Sequence, residues 1–179
     1  MKGMKREIGG HIVFAALIFI LASLVRNYVG FAYWEYYVGI FIGTLLPDLD
    51  HILYMYIHPT ELTSQRFQAL AGRKSFLPAL DLLYHTRRER TDMLFHSAFF
   101  QVLFTVFAFL VVTSSGSLLG EGIVLAFLLH LTFDQFIDLT QVHSLKSWFD
   151  HSGIVISSNQ ASIYAVGMFL LTLLFVFVF

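Results

Sequence analysis

Cysteine is absent from the chain. Disulfides and thiolate ligands are therefore excluded, and any metal ion must be held by His, Asp or Glu. Charged residues are scarce at 13%, against about 25% in soluble domains. The formal net charge is -1, so no bulk positive field points to nucleic acid as a partner. No repeat or low-complexity segment stands out. The first apolar run, from about Gly9 to Val25, has no small-residue cleavage site in a clear position, and no cleavable signal peptide is expected.

What the chain has in quantity is apolar surface. Hydrophobic residues make up 57% of its 179 positions, and the mean hydropathy is +0.72. These values predict a single membrane domain over residues 1–179, built as an all-α polytopic helical bundle. A bilayer core needs about 20 apolar residues per helix. On that measure about five transmembrane helices are expected, over Ile8–Arg26, Phe31–Leu46, Asp92–Thr113, Gly120–Thr140 and Ala161–Phe179. Pro47 breaks or ends the second, with a short apolar continuation to Ile57. Phe31, Tyr33, Trp34, Tyr36 and Tyr37 read as an interfacial aromatic belt. Between Glu61 and Arg90 the chain is polar, but Leu77, Leu80, Leu83 and Tyr84 recur at helical spacing. An interfacial amphipathic segment is expected there.

Lys and Arg set the orientation. Ten of the eleven basic residues fall on one side of this topology, and Arg26 alone falls on the other. The positive-inside rule makes the crowded side cytoplasmic. A multi-pass protein of the plasma (inner) membrane is expected, with its N-terminus cytoplasmic and its C-terminus outside.

The intramembrane polar residues then converge. His11 starts the first span on the cytoplasmic side. Asp48, Asp50 and His51 end the second, His96 starts the third, and His130 and Asp134 lie in the cytoplasmic half of the fourth. A charged side chain at membrane depth costs about 2.5–3.5 kcal/mol on insertion scales, so a cluster of this kind calls for a function. His130 and Asp134 are four apart and share a helix face. Asp and His are ligand types that divalent metals such as zinc accept. A metal site built from residues 9–140 is predicted, with His11, Asp48, Asp50, His51, His96, His130 and Asp134 as ligands. Asp138 is a candidate partner for a ligating His. Gly9, Gly10 and Gly43 would let helices approach closely.

His11, the run Pro47-Asp48-Leu49-Asp50-His51, Phe95-His96-Ser97 and the spacing His130-x-x-x-Asp134 resemble the membrane-bound metal-dependent hydrolases. That family includes the LexA-regulated inner-membrane proteins, and the resemblance spans roughly residues 9–140. It implies phosphoester hydrolysis, by distant analogy with zinc-dependent phospholipase C and the P1-type nucleases. It also implies metal-binding roles for the same seven residues. The chain departs from the family where His-Arg-Gly-x-Thr-His-Ser usually leads into the third span. Here Thr91-Asp92-Met93-Leu94-Phe95-His96-Ser97 lacks the Arg, the Gly and the Thr. Arg88, Arg90 or His85 stand slightly upstream in place of the Arg.

Seven ligands exceed one tetrahedral zinc, so one to two or more ions are expected, with Asp48 or Asp50 bridging them or acting as general base. Arg88, Arg90 and Ser97 are the candidate substrate-binding residues. A phospholipid or lipid-linked phosphate, with its head at the cytoplasmic interface, fits this depth. Two alternatives belong to other classes. One is a transporter of divalent cations or protons, which would want polar residues across the full membrane depth. The other is a non-catalytic membrane protein with a closed, structural metal site.

Overall fold

The computed structural model describes residues 2–90 and 92–179, with the side chains of residues 2–8, Arg88 and His151 excepted. The described residues are mainly α-helical, with short 3-10 and π-helical pieces, connecting turns and no strand. The helices are α1 (Lys2–Val25), α2 (Trp34–Leu45), α3 (Leu49–Ile57), α4 (Leu62–Gly72), α5 (Phe76–His85), α6 (Ala98–Leu110), α7 (Leu118–Gln141), α8 (Lys146–Phe149) and α9 (Ser158–Val178). Each of the five expected spans contains a helix. By length and composition, Ala98–Ser115, Leu118–Gln141 and Ser158–Val178 can each cross a membrane. The α2–α3 pair makes a fourth if taken as one span bent by 40°, and α1 contributes the shorter apolar stretch Gly9–Val25.

Pro47 explains the bend. It has no N–H to donate, so the α2 ladder closes with Leu46 N–H on the Ile42 carbonyl at 3.0 Å. Three tighter turns follow, with the N–H groups of Leu49, Asp50 and His51 bonded to the carbonyls of Leu46, Pro47 and Asp48. Asp48 is the cap residue of α3, yet its side chain makes no capping hydrogen bond. Its carboxylate is left for other work.

α7 is the central helix. It packs most closely on α2, where Gly39, Gly43 and Gly122 remove the side chains that would hold the backbones apart. A Cβ at Gly43 would strike the Ile123 carbonyl, one at Gly39 the Leu119 carbonyl, and one at Gly122 the Tyr36 carbonyl. This is the small-residue contact by which helices associate in lipid, where no hydrophobic force drives them together. The expectation holds for Gly43 and fails at the start of α1. A Cβ at Gly9 would meet nothing within 4 Å, and one at Gly10 only the ring edge of Phe133 at 4.0 Å.

Two further expectations need correction. The third span does not begin at Asp92. Residues 92–97 are non-helical, and α6 starts at Ala98 behind an N-cap, where the Ser97 hydroxyl accepts the Phe100 N–H at 3.3 Å. The polar stretch 61–90 holds two helices, not one. α4 and α5 fold back on each other through Lys74, whose φ of 56° is left-handed, and bury Phe67, Ala79 and Leu83 against Tyr54 and Met55 of α3. Leu77 and Leu80 stay exposed, as an interfacial segment requires.

The end of the bundle opposite the His and Asp residues has its own polar knot. Arg26, after α1, pairs with Glu121 at the start of α7. It also donates to the Tyr28 hydroxyl at 3.1 Å and to the Phe179 carbonyl oxygen at 2.5 Å. Its guanidinium lies 4.5 Å from the centre of the Tyr28 ring. Tyr36, expected in an interfacial belt, is fully buried here, because α2 turns that face toward α7. The Arg26 and Glu121 side chains are only 9% and 10% exposed. Glu121→Ala should therefore cost about 3–5 kcal/mol, the penalty for stranding one partner of a buried pair. The double substitution Arg26→Met with Glu121→Leu should recover most of that loss. Thermal melts of the detergent-solubilised protein measure both. Between the two polar ends lies an apolar core of Phe19, Ala22, Leu125, Leu128, Leu129 and Val176.

Candidate metal centre

Asp134 of α7 is the hub. Its side chain is 1% exposed, and four nitrogen groups from three other segments and its own helix reach it. His11 Nε2 from α1 lies 2.8 Å from Oδ1, and Arg87 from the turn after α5 lies 3.1 Å from the same oxygen. His96 Nε2 lies 2.9 Å and His130 Nε2 3.4 Å from Oδ2. His130 and Asp134 face the same way because they are one helical turn apart. The imidazoles of His11 and His130 sit with ring centres 4.6 Å apart.

Asp50 organises the opposite wall. From the first turn of α3 it accepts the N–H groups of Leu94, Phe95 and His96 at 3.2, 2.6 and 3.2 Å. Those three bonds hold residues 94–96 in a non-helical turn. A helix there would have spent the same N–H groups internally. Asp50 also lies 3.2 Å from His96 Nδ1, so His96 is gripped between Asp50 and Asp134. The carboxylate–histidine pairing is the one that orients a ligating imidazole in metal sites. The His51 ring stacks on that of His96 at 5.0 Å. Asp48, with its side chain 54% exposed, lies 3.6 Å from His130 Nε2.

One chain of contacts thus links His11, Asp48, Asp50, His51, His96, His130 and Asp134. The tightest group is His11, His130 and Asp134, which offer one ligand atom each within 4.8 Å of one another. Two observations bear on whether a cation fits there. Both ring nitrogens of His130 and Nδ1 of His51 are buried without a hydrogen-bond partner. A buried nitrogen with no partner carries a desolvation cost, which an ion on the lone pair would remove. The donor set is also nitrogen and carboxylate oxygen, as zinc accepts.

The basic residues divide differently from the sequence expectation. Arg88 lies outside the described side chains. Arg90 is 3% exposed, and its guanidinium donates to the Leu83 carbonyl at 2.7 Å and to the Thr86 hydroxyl at 3.0 Å. Burial, and next the charge of Arg87, push Arg90 down to about 10, which leaves it protonated at neutral pH. Ser97 is the cap of α6 and donates its own hydroxyl to the Leu94 carbonyl at 2.9 Å. The arginine that reaches the cluster is Arg87, which also lies 3.5 Å from Asp138. Counting three arginines as one basic run hides which of them faces inward. Asp138 accepts the indole N–H of Trp148 at 2.8 Å, and Trp148 stands edge-on to His96 at 5.6 Å. Nothing in the local sequence around Trp148 marks it as part of this neighbourhood.

Two spaces open on the cluster. One, of about 200 Å³, is mainly apolar and is bounded by His11, Asp48, His51 and His130 together with Leu45, Leu49 and Leu80. The other, of about 620 Å³, is bounded by His96, Asp138, Trp148 and Lys146 among others. Tyr84, Arg87 and Arg90 border both.

Searches of curated proteins and of solved structures return no match. The family model described as YdjM inner membrane protein matches residues 4–178, which includes every element of the cluster and both ends of the bundle. The match agrees with the resemblance to LexA-regulated inner-membrane proteins carried by the Pro47–His51 run. The chain belongs to the YdjM inner membrane protein family.

Proposed function

We propose that this inner-membrane protein is a divalent-metal-dependent phosphoester hydrolase whose substrate is a lipid carrying a phosphate, and that zinc is the ion it holds. The observation that carries the reading is the convergence of His11, His130 and Asp134 within 4.8 Å, with His11 and His130 facing the smaller, apolar space. His11, His130 and Asp134 would hold a zinc ion with three protein ligands, the number catalytic zinc sites use. When bound, such an ion lowers the pKa of a water and polarises a phosphoryl oxygen. Asp48 is the exposed carboxylate beside His130 and is suited to take the proton of the attacking water. Asp50 and His96 hold the geometry. In the hydrolysis, the water oxygen bonds to phosphorus. The P–O bond to the departing alcohol breaks, its electrons stay on that oxygen, and the oxygen takes up a proton. The Lys and Arg residues of α4, of the turns before and after α5, and of α8 fall beside the cluster in the chain's topology, which supports a cytoplasmic site and an N-terminus inside.

The test uses the full chain in detergent, loaded with zinc or manganese and offered phosphatidylethanolamine, phosphatidic acid and an isoprenyl phosphate. Release of phosphate or phosphorylated headgroup is expected, with Asp48→Asn reducing the rate by about 100-fold or more at unchanged metal content. Bound metal with no turnover of any phosphoester would overturn the hydrolase. Metal uptake into proteoliposomes would establish a transporter in its place. The apolar core that separates the two polar ends favours the hydrolase.

A further inference from the structure

The two spaces beside the cluster differ in chemistry and in size. The smaller, at about 200 Å³, has Ile12, Leu45, Leu49 and Leu80 in its wall, and all four are exposed on helices that border lipid. Such a wall suits an opening toward hydrocarbon. The larger, at about 620 Å³, is walled by His85, Gln141, Ser144, Lys146, Ser147 and Asp150 beyond the cluster itself. Met93 and Val142 also line it, but the charged and amide groups set it apart from the smaller space. Between the spaces stand Tyr84, Arg87 and Arg90; Arg90 is taken up by Leu83 and Thr86, so the Arg87 guanidinium marks the boundary where a phosphate would sit.

Size decides what lies beyond that phosphate. A chamber of about 620 Å³ falls in the range of roughly 300–1,000 Å³ that accommodates a whole small molecule. At about 30 Å³ per water, it is several times larger than five phosphate atoms need. Its wall carries both signs, with Lys146 facing the same chamber as Asp138 and Asp150. A mixed wall suits a polar or zwitterionic group better than a second bare phosphate.

We propose that this chamber is a headgroup subsite, and that the ligand class is a lipid phosphodiester, with its tail in the apolar space, its phosphate at Arg87, and a polar alcohol such as glycerol or ethanolamine in the chamber. The proposal rests on the hydrolase reading for its biological meaning, but its test does not.

Trp148 lines the chamber and is one of two tryptophans in the chain. Trp34→Phe, at the opposite end of the bundle, leaves it as the sole reporter. The full chain in detergent is titrated with glycerophosphoethanolamine and, separately, with inorganic phosphate. Trp148 emission is expected to shift saturably with the diester, at an affinity at least tenfold above that for inorganic phosphate. Ser147→Phe, which fills the chamber, should weaken diester binding at least tenfold with metal content unchanged. Lys146→Ala, at an exposed position, should weaken it severalfold and guards against misfolding of the larger substitution. Equal or tighter binding of inorganic phosphate overturns the subsite, as does diester binding that neither substitution changes. A metal-loaded protein that cleaves phosphatidic acid faster than phosphatidylethanolamine also overturns it, while leaving the hydrolase standing. Selective diester binding without turnover of any phosphoester sustains the subsite and removes the hydrolase.

Discussion

Asp134→Asn is expected to abolish zinc binding at the proposed centre. Elemental analysis of the protein purified and reconstituted with zinc should show occupancy falling from near one ion per chain to background. Competition with a chelating dye should show at least a 100-fold loss of affinity, beyond the 10–100-fold that follows from removing a mere supporting partner. The reason is the number of groups that depend on one carboxylate. His11, His96, His130 and Arg87 all reach Asp134. The amide keeps the shape, but it loses the charge and turns a donor toward imidazoles. Arg87 keeps Asp138 at 3.5 Å, so the turn after α5 is not set adrift, and the fold should survive. Unchanged metal content in the variant would remove Asp134 from the ligand set and with it the proposed centre.

Gly43→Leu should have the largest effect on the fold itself. Its Cβ would collide with the Ile123 carbonyl, a backbone atom in the middle of the central helix that cannot swing aside. Overpacking a core costs roughly 1–3 kcal/mol when side chains can yield. Here they cannot, and the cost should exceed that range. The α2–α7 contact also delivers Asp48, Asp50 and His51 to His130 and Asp134, so metal binding should be lost together with stability. The expected readout is a much reduced yield from membranes and a melting temperature lowered by tens of degrees or not measurable. Gly9→Ala is the control. Nothing lies within 4 Å of its Cβ, and it should be neutral or slightly stabilising, since alanine favours helix over glycine. Equal behaviour of the two variants would show that the α2–α7 contact does not hold the fold.

The contrast between those glycines shows where a linear reading runs out. Gly9, Gly10 and Gly43 look alike along the chain, each a small residue in an apolar helix. Only the presence of Ile123 against one of them separates them. The arginines behave the same way. Arg87, Arg88 and Arg90 are a single basic run in one dimension. In three, Arg87 enters the cluster and Arg90 binds the carbonyl of Leu83, because a short helical turn rotates successive side chains to different directions. The segment 92–97 has a hydropathy that favours helix. Its backbone instead goes to Asp50, an acceptor more than forty residues away, and no window of local propensity contains that bond.

The depth of the His and Asp residues, by contrast, is legible along the chain. Hydropathy is a sum over about 20 consecutive residues, and charge bias depends only on which loops are counted. Both are local quantities, so they determined a helical membrane domain and brought His11, Asp48, Asp50, His51, His96, His130 and Asp134 to one end of it. Tertiary structure alone decided which of them touch. It chose Asp134 as the hub, turned Asp50 to the 94–96 backbone, admitted Arg87 and Trp148, and tied Arg26 to Glu121 at the far end. Contact depends on how helices rotate about their own axes and how closely they approach. Those choices are made by packing between segments distant in the chain, at the few positions where glycine lets two backbones meet.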